Sequence, residues 1–163
     1  MHRRYNVLFL CTGNSARSIM AEGILNQKGK PNFTAYSAGS HPTGVIRPEA
    51  LKQLGIAQLP TAGLCSKDWA EFARPGAPKM DFVFTVCDNA AHEVCPVWPG
   101  QPMTAHWGVP DPAALSGTPE QIERAFREAF MILERRISLL LCVPLSSLEK
   151  LAIQKEIDRI GRQ

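Results

Sequence analysis

The sequence predicts an α/β fold in which helices cover a parallel sheet. Short apolar runs alternate along its 163 residues with longer segments of helical periodicity, which is the pattern of chains that build parallel sheets. The two strongest strand candidates, residues 5–10 and 81–86, are followed directly by Cys11 and Cys87. Parallel strands end at one edge of their sheet, where open α/β folds bind ligands, so both thiols are expected at that edge.

The other elements follow from local signals. Between the two strong strands, apolar spacing and breaker residues predict a helix over 18–28, a strand over 33–37, a helix over 48–54 and a short helix over 68–72. Beyond them, the same signals predict a strand over 103–107, a long helix from 118 to about 142 and a last helix from 146 to about 160. Capping boxes, Thr118 to Gln121 and Ser146 to Glu149, begin the last two helices.

The length fits one domain. We predict that residues 1–144 form this domain and that residues 145–163 add a helical extension packed on it. The extension carries an apolar stripe at helical spacing, formed by Leu148, Leu151, Ile153, Ile157 and Ile160. Such a stripe more often packs on its own domain, and a dimer contact is the alternative. The chain is therefore expected to be a monomer or a weak dimer.

Composition and charge exclude several classes of protein. Hydrophobic residues make up 45% and charged residues 20%, as in ordinary globular chains, and a net charge of +3 is too small to indicate nucleic-acid binding. No apolar stretch reaches the roughly 18 residues of a transmembrane helix, so we expect a cytoplasmic protein without a membrane partner. The five cysteines, odd in number, indicate neither a disulfide framework nor a structural zinc site. Cys65 and Cys142 are expected to be structural, with Cys142 buried.

Cys11 opens the most informative motif, Cys-Thr-Gly-Asn-Ser-Ala-Arg-Ser, between the first strand and the first helix. Main-chain N–H groups of this loop can converge on one tetrahedral anion, and the helix adds its positive N-terminal dipole. Arg17 can hold two oxygens through its planar fork. This field is expected to lower the pKa of Cys11 and make it a thiolate nucleophile. The predicted oxyanion-binding residues are Thr12, Gly13, Asn14, Ser15, Ala16, Arg17 and Ser18.

Three residues within the loop strengthen this interpretation. Gly13 permits a positive φ, the Asn14 amide can brace the loop, and the Ser18 hydroxyl can stabilise the Cys11 thiolate. The alternative is that Cys11 is a small buried hydrophobic residue, and a Cys-x5-Arg spacing alone often occurs by chance. The order of strand, loop and helix favours the catalytic interpretation.

Two later segments also carry reactive side chains. Cys87 and Cys95 are separated by seven residues and could pair if their Cα atoms came within about 7 Å. The alternative is a thiol buried at a strand end and an unrelated loop residue. Asp111 precedes Pro112, which holds it extended, so its carboxyl can act as a general acid if its loop faces Cys11. The alternative there is a common Asp-Pro turn.

Together, five segments resemble the arsenate reductases built on the low-molecular-weight tyrosine phosphatase fold. They are Cys11 to Ser18, Ser37-Ala-Gly39, Thr85-Val-Cys87, Cys95-Pro96 and His106-Trp-Gly-Val-Pro-Asp-Pro112. The first is typical of the superfamily, whereas Cys87 with Cys95 and the last segment are typical of the reductase branch. The resemblance implies a four-stranded parallel sheet flanked by helices, with the last helix as an addition.

The resemblance also implies a mechanism. Cys11 attacks arsenate, Asp111 protonates the departing oxygen, and Arg17 holds the oxyanion with the loop. Cys87 then attacks the Cys11 sulfur, arsenite leaves, and Cys95 attacks Cys87 to move the disulfide outward. Thioredoxin, or glutaredoxin with glutathione, then resets the enzyme. Ala16 departs from related loops, which often carry a second cysteine at that position.

No tightly bound cofactor is expected, although the resemblance implies a potassium ion near the loop. Four residues match its ligand positions, namely Asn14, Glu22, Ser37 and Asp68. An ordinary surface polar residue is an equal interpretation of Asp68.

Two other functions stay open. A phosphatase would hydrolyse phosphomonoesters through a Cys11 phosphocysteine, but it needs neither Cys87 nor Cys95. Phosphatases of this fold usually present aromatic walls after the Asp-Pro pair, where this chain has Ala113-Ala114, which favours a small inorganic oxyanion. A non-catalytic oxyanion-binding module is the third possibility, and it would not need an intact nucleophile.

Overall fold

Four strands and four α-helices make up the regular structure of the described residues, which are 4–87, 98, 100–114 and 116–163 of the computed structural model. The strands are β1 Tyr5–Cys11, β2 Phe33–Gly39, β3 Phe82–Thr85 and β4 Met103–His106. The helices are α1 Arg17–Lys28, α2 Pro48–Ile56, α3 Pro119–Leu141 and α4 Lys150–Ile160. Short 3₁₀ helices span Trp69–Phe72, Pro112–Ala114 and Leu145–Ser147.

The sheet is parallel throughout, with strand order β2-β1-β3-β4. The predicted α/β class and the four-stranded parallel sheet are confirmed. Because β2 and β3 lie on opposite sides of β1, the order reverses beside β1, and ligands bind at the carboxyl edge of such a reversal. Cys11 ends β1 and pairs with Gly39, whereas Leu10 pairs with Thr85, two residues before Cys87. The topology therefore places both cysteines at this edge.

Both faces of the sheet are covered, as the continuous apolar sequence of β1 requires. Val7 and Phe9 face the main core, whereas Leu8 and Leu10 face a smaller core on the other side, because successive side chains of a strand alternate. The main core also contains residues from all four helices, among them Ile19, Leu54, Phe126, Leu133 and Ile157.

The C-terminal helix packs beside β4. Ile153, Ile157 and Ile160 of α4 are buried in the main core, whereas Leu151 is 78% exposed. The fully buried Trp107 stacks on Phe84 with ring centroids 3.9 Å apart. Its indole N–H donates to the main-chain oxygen of Ile157 across 2.9 Å, which joins the helix to the end of β4. None of the helices in the described ranges combines the length and apolarity needed to cross a bilayer.

Several element boundaries differ from the sequence prediction. β2 continues past residue 37 to Gly39, because its last residues pair with the end of β1. The predicted capping box at Ser146 does not form, since Leu145–Ser147 adopts a 3₁₀ turn and α4 begins after Glu149 without a side-chain cap. The capping box between Thr118 and Gln121 forms at α3 as predicted.

Cys142 also differs from its expectation. It follows α3 as the C-cap residue and is exposed, whereas its neighbours Leu141 and Val143 pack against the core. The helix predicted over 48–54 is also longer, since α2 continues through Gly55 to Ile56.

Candidate active site

The loop after β1 is held by main-chain bonds to the segment after β2. The N–H groups of Ser40, His41, Thr43 and Arg47 donate to the carbonyl oxygens of Cys11, Thr12, Gly13 and Ser15 at 3.3, 2.9, 3.0 and 2.9 Å, respectively. In a trans peptide the N–H points away from the carbonyl oxygen. Because the loop carbonyls point toward the segment after β2, the loop N–H groups point away from that segment. The loop becomes a cradle of N–H groups at the start of α1, which has no side-chain cap at Ala16.

Asn14 is the residue that shapes this cradle. It is fully buried and has φ of 47°, so the left-handed conformation expected for Gly13 belongs to Asn14 instead. Its side-chain N–H groups donate to the hydroxyls of Ser18 and Ser37 at 2.8 and 3.0 Å. Its side-chain oxygen accepts from the main-chain N–H of Lys67 at 2.9 Å. The amide therefore braces the loop, and the Ser18 hydroxyl, expected to stabilise the Cys11 thiolate, accepts a hydrogen bond from Asn14.

Gly39 lets the end of β2 lie close to the loop after β1, a role that no sequence motif indicates. A Cβ at this position would overlap the main-chain oxygen of Thr12 and lie 3.0 Å from the main-chain nitrogen of Asn14. Its N–H donates to the Lys67 oxygen across 2.9 Å. Only a residue without a side chain lets β2 lie this close to the cradle.

Cys11 and Cys87 lie together at the floor of the cradle. Both are buried, at 5% and 3% exposure, and the Thr12 hydroxyl is 3.6 Å from the Cys87 sulfur. A hydrogen bond with the Cys87 side chain, reinforced by burial, raises the pKa of Cys11. The Arg17 charge and the Thr12 N–H act in the opposite direction. The expected lowering of the Cys11 pKa is thus outweighed in this arrangement, because a second thiol lies against the first.

Arg17 connects the cradle to the loop that carries Asp111. One guanidinium nitrogen donates to the Val109 oxygen across 2.8 Å, and another lies 3.6 Å from an Asp111 carboxylate oxygen. The second carboxylate oxygen of Asp111 accepts from the Ala113 N–H at 2.9 Å, so the Asp-Pro segment also forms a turn. The Asp111 side chain is 43% exposed, and its carboxylate lies beside Arg17, which connects it to the cradle.

Cys95 lies outside the described residues. Of the five predicted catalytic residues, the structure brings together the other four, Cys11, Arg17, Cys87 and Asp111.

The four predicted potassium ligands are only partly brought together. The Ser37 hydroxyl donates to a Glu22 carboxylate oxygen at 2.5 Å, and the Lys67 ammonium lies 3.8 Å from the same oxygen. The Asn14 oxygen already accepts from Lys67, whereas the Asp68 carboxylate accepts from the Ala70 N–H at the start of a 3₁₀ helix. A fixed ammonium already lies beside the Glu22 carboxylate, and main-chain N–H groups already bond the Asn14 oxygen and one Asp68 oxygen, so these side chains do not fit the ion.

Lys67 is a site residue that sequence reasoning missed. Its ammonium also donates to the Cys65 oxygen at 2.7 Å. Burial raises the pKa of Glu22, and the Ser37 hydroxyl and the Lys67 charge oppose that rise. No local motif marks Lys67, because Glu22 and Asn14, its partners in the site, lie far from it in sequence.

Comparison with known proteins identifies the family. A family model described as low molecular weight phosphotyrosine protein phosphatase matches residues 6–156. The chain is 36% identical over 134 residues to an arsenate reductase of Halalkalibacterium halodurans, across 80% of this chain and 91% of that protein. It is 37% identical over 118 residues to an arsenate reductase of Bacillus subtilis, across 71% and 79% of the two chains.

Solved structures share the fold. An arsenate reductase in its phosphate-binding state aligns with a TM-score of 0.65 and 24% identity, covering 84% of this chain and 96% of that one. A low molecular weight protein tyrosine phosphatase from T. tengcongensis aligns with a TM-score of 0.63 and 24% identity, covering 82% and 95%. The family match also reaches into α4, beyond the predicted domain boundary at residue 144. The chain therefore belongs to the low molecular weight phosphotyrosine protein phosphatase family.

Proposed function

We propose that this protein is an arsenate reductase that works through three thiols. The observation that carries the proposal is the buried pair of Cys11 and Cys87 within one oxyanion cradle. Hydrolysis of a phosphomonoester needs one nucleophile, whereas a two-electron reduction by thiols needs two. The curated relatives named arsenate reductases support the same assignment.

In the first step, the Cys11 sulfur attacks arsenate. A sulfur–arsenic bond forms, and one arsenate oxygen leaves as water after taking a proton from Asp111. Arg17 and the loop amides stabilise the charge on the remaining oxygens. Because the pKa of Cys11 is raised in the ligand-free arrangement, its proton must pass to another group as the oxyanion enters.

In the second step, Cys87 reduces the bound arsenic. The Cys87 thiolate attacks the Cys11 sulfur, a disulfide forms, and the electron pair of the sulfur–arsenic bond stays with arsenic. Arsenic passes from oxidation state five to three and leaves as arsenite. The two sulfurs have together lost the two electrons that arsenic gained.

A third thiol is needed because the first two are buried. A disulfide between Cys11 and Cys87, which are 5% and 3% exposed, would be out of reach of a protein dithiol. We propose that Cys95 attacks Cys87, which releases Cys11 and leaves a disulfide between Cys87 and Cys95. A dithiol donor of the thioredoxin or glutaredoxin type then reduces this bond, which requires a reducing compartment such as the cytoplasm.

The test of the reductase assignment is Cys87→Ser. This variant is expected to lose multiple-turnover arsenate reduction while it keeps hydrolysis of a small aryl phosphate, which uses only Cys11, Arg17 and Asp111. Cys142→Ser, at an exposed thiol, is the matched control and should retain both activities. Steady-state reduction by Cys87→Ser would overturn the scheme.

Peptide mapping tests the third thiol. After one turnover without a reductant, the protein is expected to contain a disulfide between Cys87 and Cys95. A bond between Cys11 and Cys87 alone would make Cys95 a bystander. Parallel turnover assays with thioredoxin and with glutathione plus glutaredoxin identify the donor.

Phosphatase activity is the second candidate. The contact of Arg17 with the Asp111 loop supports it, because nucleophile, anion-binding arginine and acid are all present. It is expected to be weak, since Ala113 and Ala114 offer no aromatic wall for an aryl ring.

A further inference from the structure

Arg136 of α3 is a buried cation outside the cradle. It is 7% exposed, and one of its guanidinium nitrogens donates to the Gly108 oxygen at 2.9 Å. Another donates to the Gln163 oxygen at 3.2 Å, and within the described residues its Nε is buried without a partner. Burying a charge without satisfying all its donors is costly, so packing of the core does not call for an arginine at this position. Stability alone therefore does not account for this arginine.

Its main-chain contact lies in the segment that carries Asp111. The carbonyl after Gly108 is that of Val109, which accepts from Arg17 at 2.8 Å. Two successive carbonyls of this segment are thus held by two guanidinium groups, one from the cradle and one from α3. The Val109 N–H adds a third bond, to the Val86 oxygen at 3.0 Å.

Residues in and beside α4 contact the chain just before Gly108, from Thr104 to Trp107. Gln154 donates to the Thr104 oxygen at 2.8 Å, and Trp107 donates to the Ile157 oxygen at 2.9 Å. A Cβ at Gly161 would overlap the His106 oxygen, so the chain there lies directly against β4. Arg136 joins this segment to the Asp111 loop, since it bonds Gly108 and Gln163 together.

We infer that Arg136 is a positioning residue for the proton donor, acting with the C-terminal segment to hold the main chain from Gly108 to Asp111 against the cradle. This inference rests on the proposed role of Asp111. Without Arg136, the loop keeps its bonds to Arg17 and Val86 but loses the bond that fixes Gly108 to α3, and the carboxyl moves relative to the leaving oxygen. A displacement of about 1 Å is enough to weaken proton transfer strongly.

The test compares aryl phosphates whose leaving groups need a proton to different degrees. Phenyl phosphate, a poor leaving group, depends on the donor, whereas dinitrophenyl phosphate departs largely without it. In Arg136→Met, kcat/KM is expected to fall at least about tenfold for phenyl phosphate and less than about threefold for dinitrophenyl phosphate. Arg136→Lys should recover part of the loss. Arg135→Met, an exposed neighbour on the same helix, is the matched control and should change neither value.

A double-mutant cycle separates positioning from general damage. In an Asp111→Asn background, Arg136→Met should cost nothing further on phenyl phosphate, because the group it positions is already lost. Equal losses on both substrates, or additive losses in the cycle, would overturn the inference. Trp107→Phe removes the indole N–H donor to Ile157 together with part of the buried ring. It is expected to give a smaller split in the same direction and keeps the test available if Arg136→Met folds poorly.

The same data distinguish this inference from the proposed function. If Asp111→Asn shows the split between leaving groups and Arg136→Met does not, only the positioning role fails. If Asp111→Asn shows no split, the proposed role of Asp111 fails and the positioning role fails with it.

Discussion

The ammonium of Lys67 lies 3.8 Å from a carboxylate oxygen of Glu22, beneath the loop that holds Cys11. Both side chains are largely buried, at 18% and 12% exposure, and the Ser37 hydroxyl donates to the same carboxylate oxygen. A lysine thus supplies a positive charge beside the residues that the family resemblance assigns to potassium.

Catalysis is therefore expected to be independent of potassium. Replacing potassium chloride by sodium chloride at constant ionic strength should leave kcat/KM for arsenate unchanged, because Lys67 already neutralises Glu22. Steady-state rates over a potassium titration provide the measurement. A saturable rise of several-fold with potassium would show that the ion binds despite Lys67.

Lys67→Met is expected to make stability depend more steeply on pH. Burial raises the Glu22 pKa and the Lys67 charge lowers it, so removing that charge raises the pKa further. A carboxyl with a raised folded-state pKa binds more protons folded than unfolded, and its stability contribution is lost as pH rises above about 4.3. The difference in Tm from the parent protein should be small near pH 4 and should grow toward pH 7.

Lys52→Met is the matched control for that series, since Lys52 is exposed and pairs only at the surface with Glu123. Its Tm should follow the parent protein at every pH. A constant difference in Tm for Lys67→Met across the same pH range would mean that Lys67 contributes through packing alone.

Cys87→Ala is expected to lower the pKa of Cys11. The hydrogen bond with Cys87 is the largest cause of the raised value, and its removal leaves Arg17 and the Thr12 N–H to stabilise the thiolate. Alkylation of Cys11 by iodoacetamide should then proceed several-fold faster at neutral pH, with a midpoint at lower pH. Mass spectrometry of Cys11 peptides follows the reaction. A midpoint that moves upward would contradict the assigned cause.

Gly39→Ala is expected to damage both stability and activity. The added methyl would overlap the Thr12 oxygen, and overpacking against a fixed main chain costs about 1–3 kcal/mol. Thermal unfolding and kcat/KM should fall together, because the atom that must move belongs to the cradle.

Gly55→Ala is the control for that substitution. Gly55 lies inside α2 with open space around the position of a Cβ, so alanine there should stabilise the helix by up to about 1 kcal/mol and leave activity unchanged. Wild-type activity in Gly39→Ala would show that the cradle adjusts without cost.

The sheet and the location of the site could be predicted from the sequence because their signals are local. Cys11 at the end of one apolar strand and Cys87 just after another indicate one edge of a parallel sheet, and the Thr118 capping box marks the start of α3. Ser146 has the same capping pattern but no cap, because the chain forms a 3₁₀ turn there and Leu145 is buried. A local pattern gives the propensity, and tertiary packing decides whether it is used.

The finer chemistry could not be predicted, because it depends on contacts between distant segments. The main-chain N–H of Lys67 donates to the Asn14 side chain across 53 positions of sequence, and no local pattern predicts that contact. The sign of the Cys11 pKa shift depends on the orientation of Cys87 against it, which the spacing does not contain. Glycine permits a positive φ most readily, so the sequence favours Gly13 for that conformation, yet the hydrogen bonds of Asn14 stabilise it in a residue with a side chain.

The buried position of Trp107 makes its fluorescence a reporter of the packing around it. An indole that is fully buried, stacked on Phe84 and bonded to Ile157 emits from a dry environment, and its emission shifts to longer wavelength once water reaches it. The other tryptophans, Trp69 and Trp98, contact each other on the opposite face of the sheet. Exchanging those two for phenylalanine would leave a single fluorophore whose colour reports when the C-terminal helix detaches, without any label.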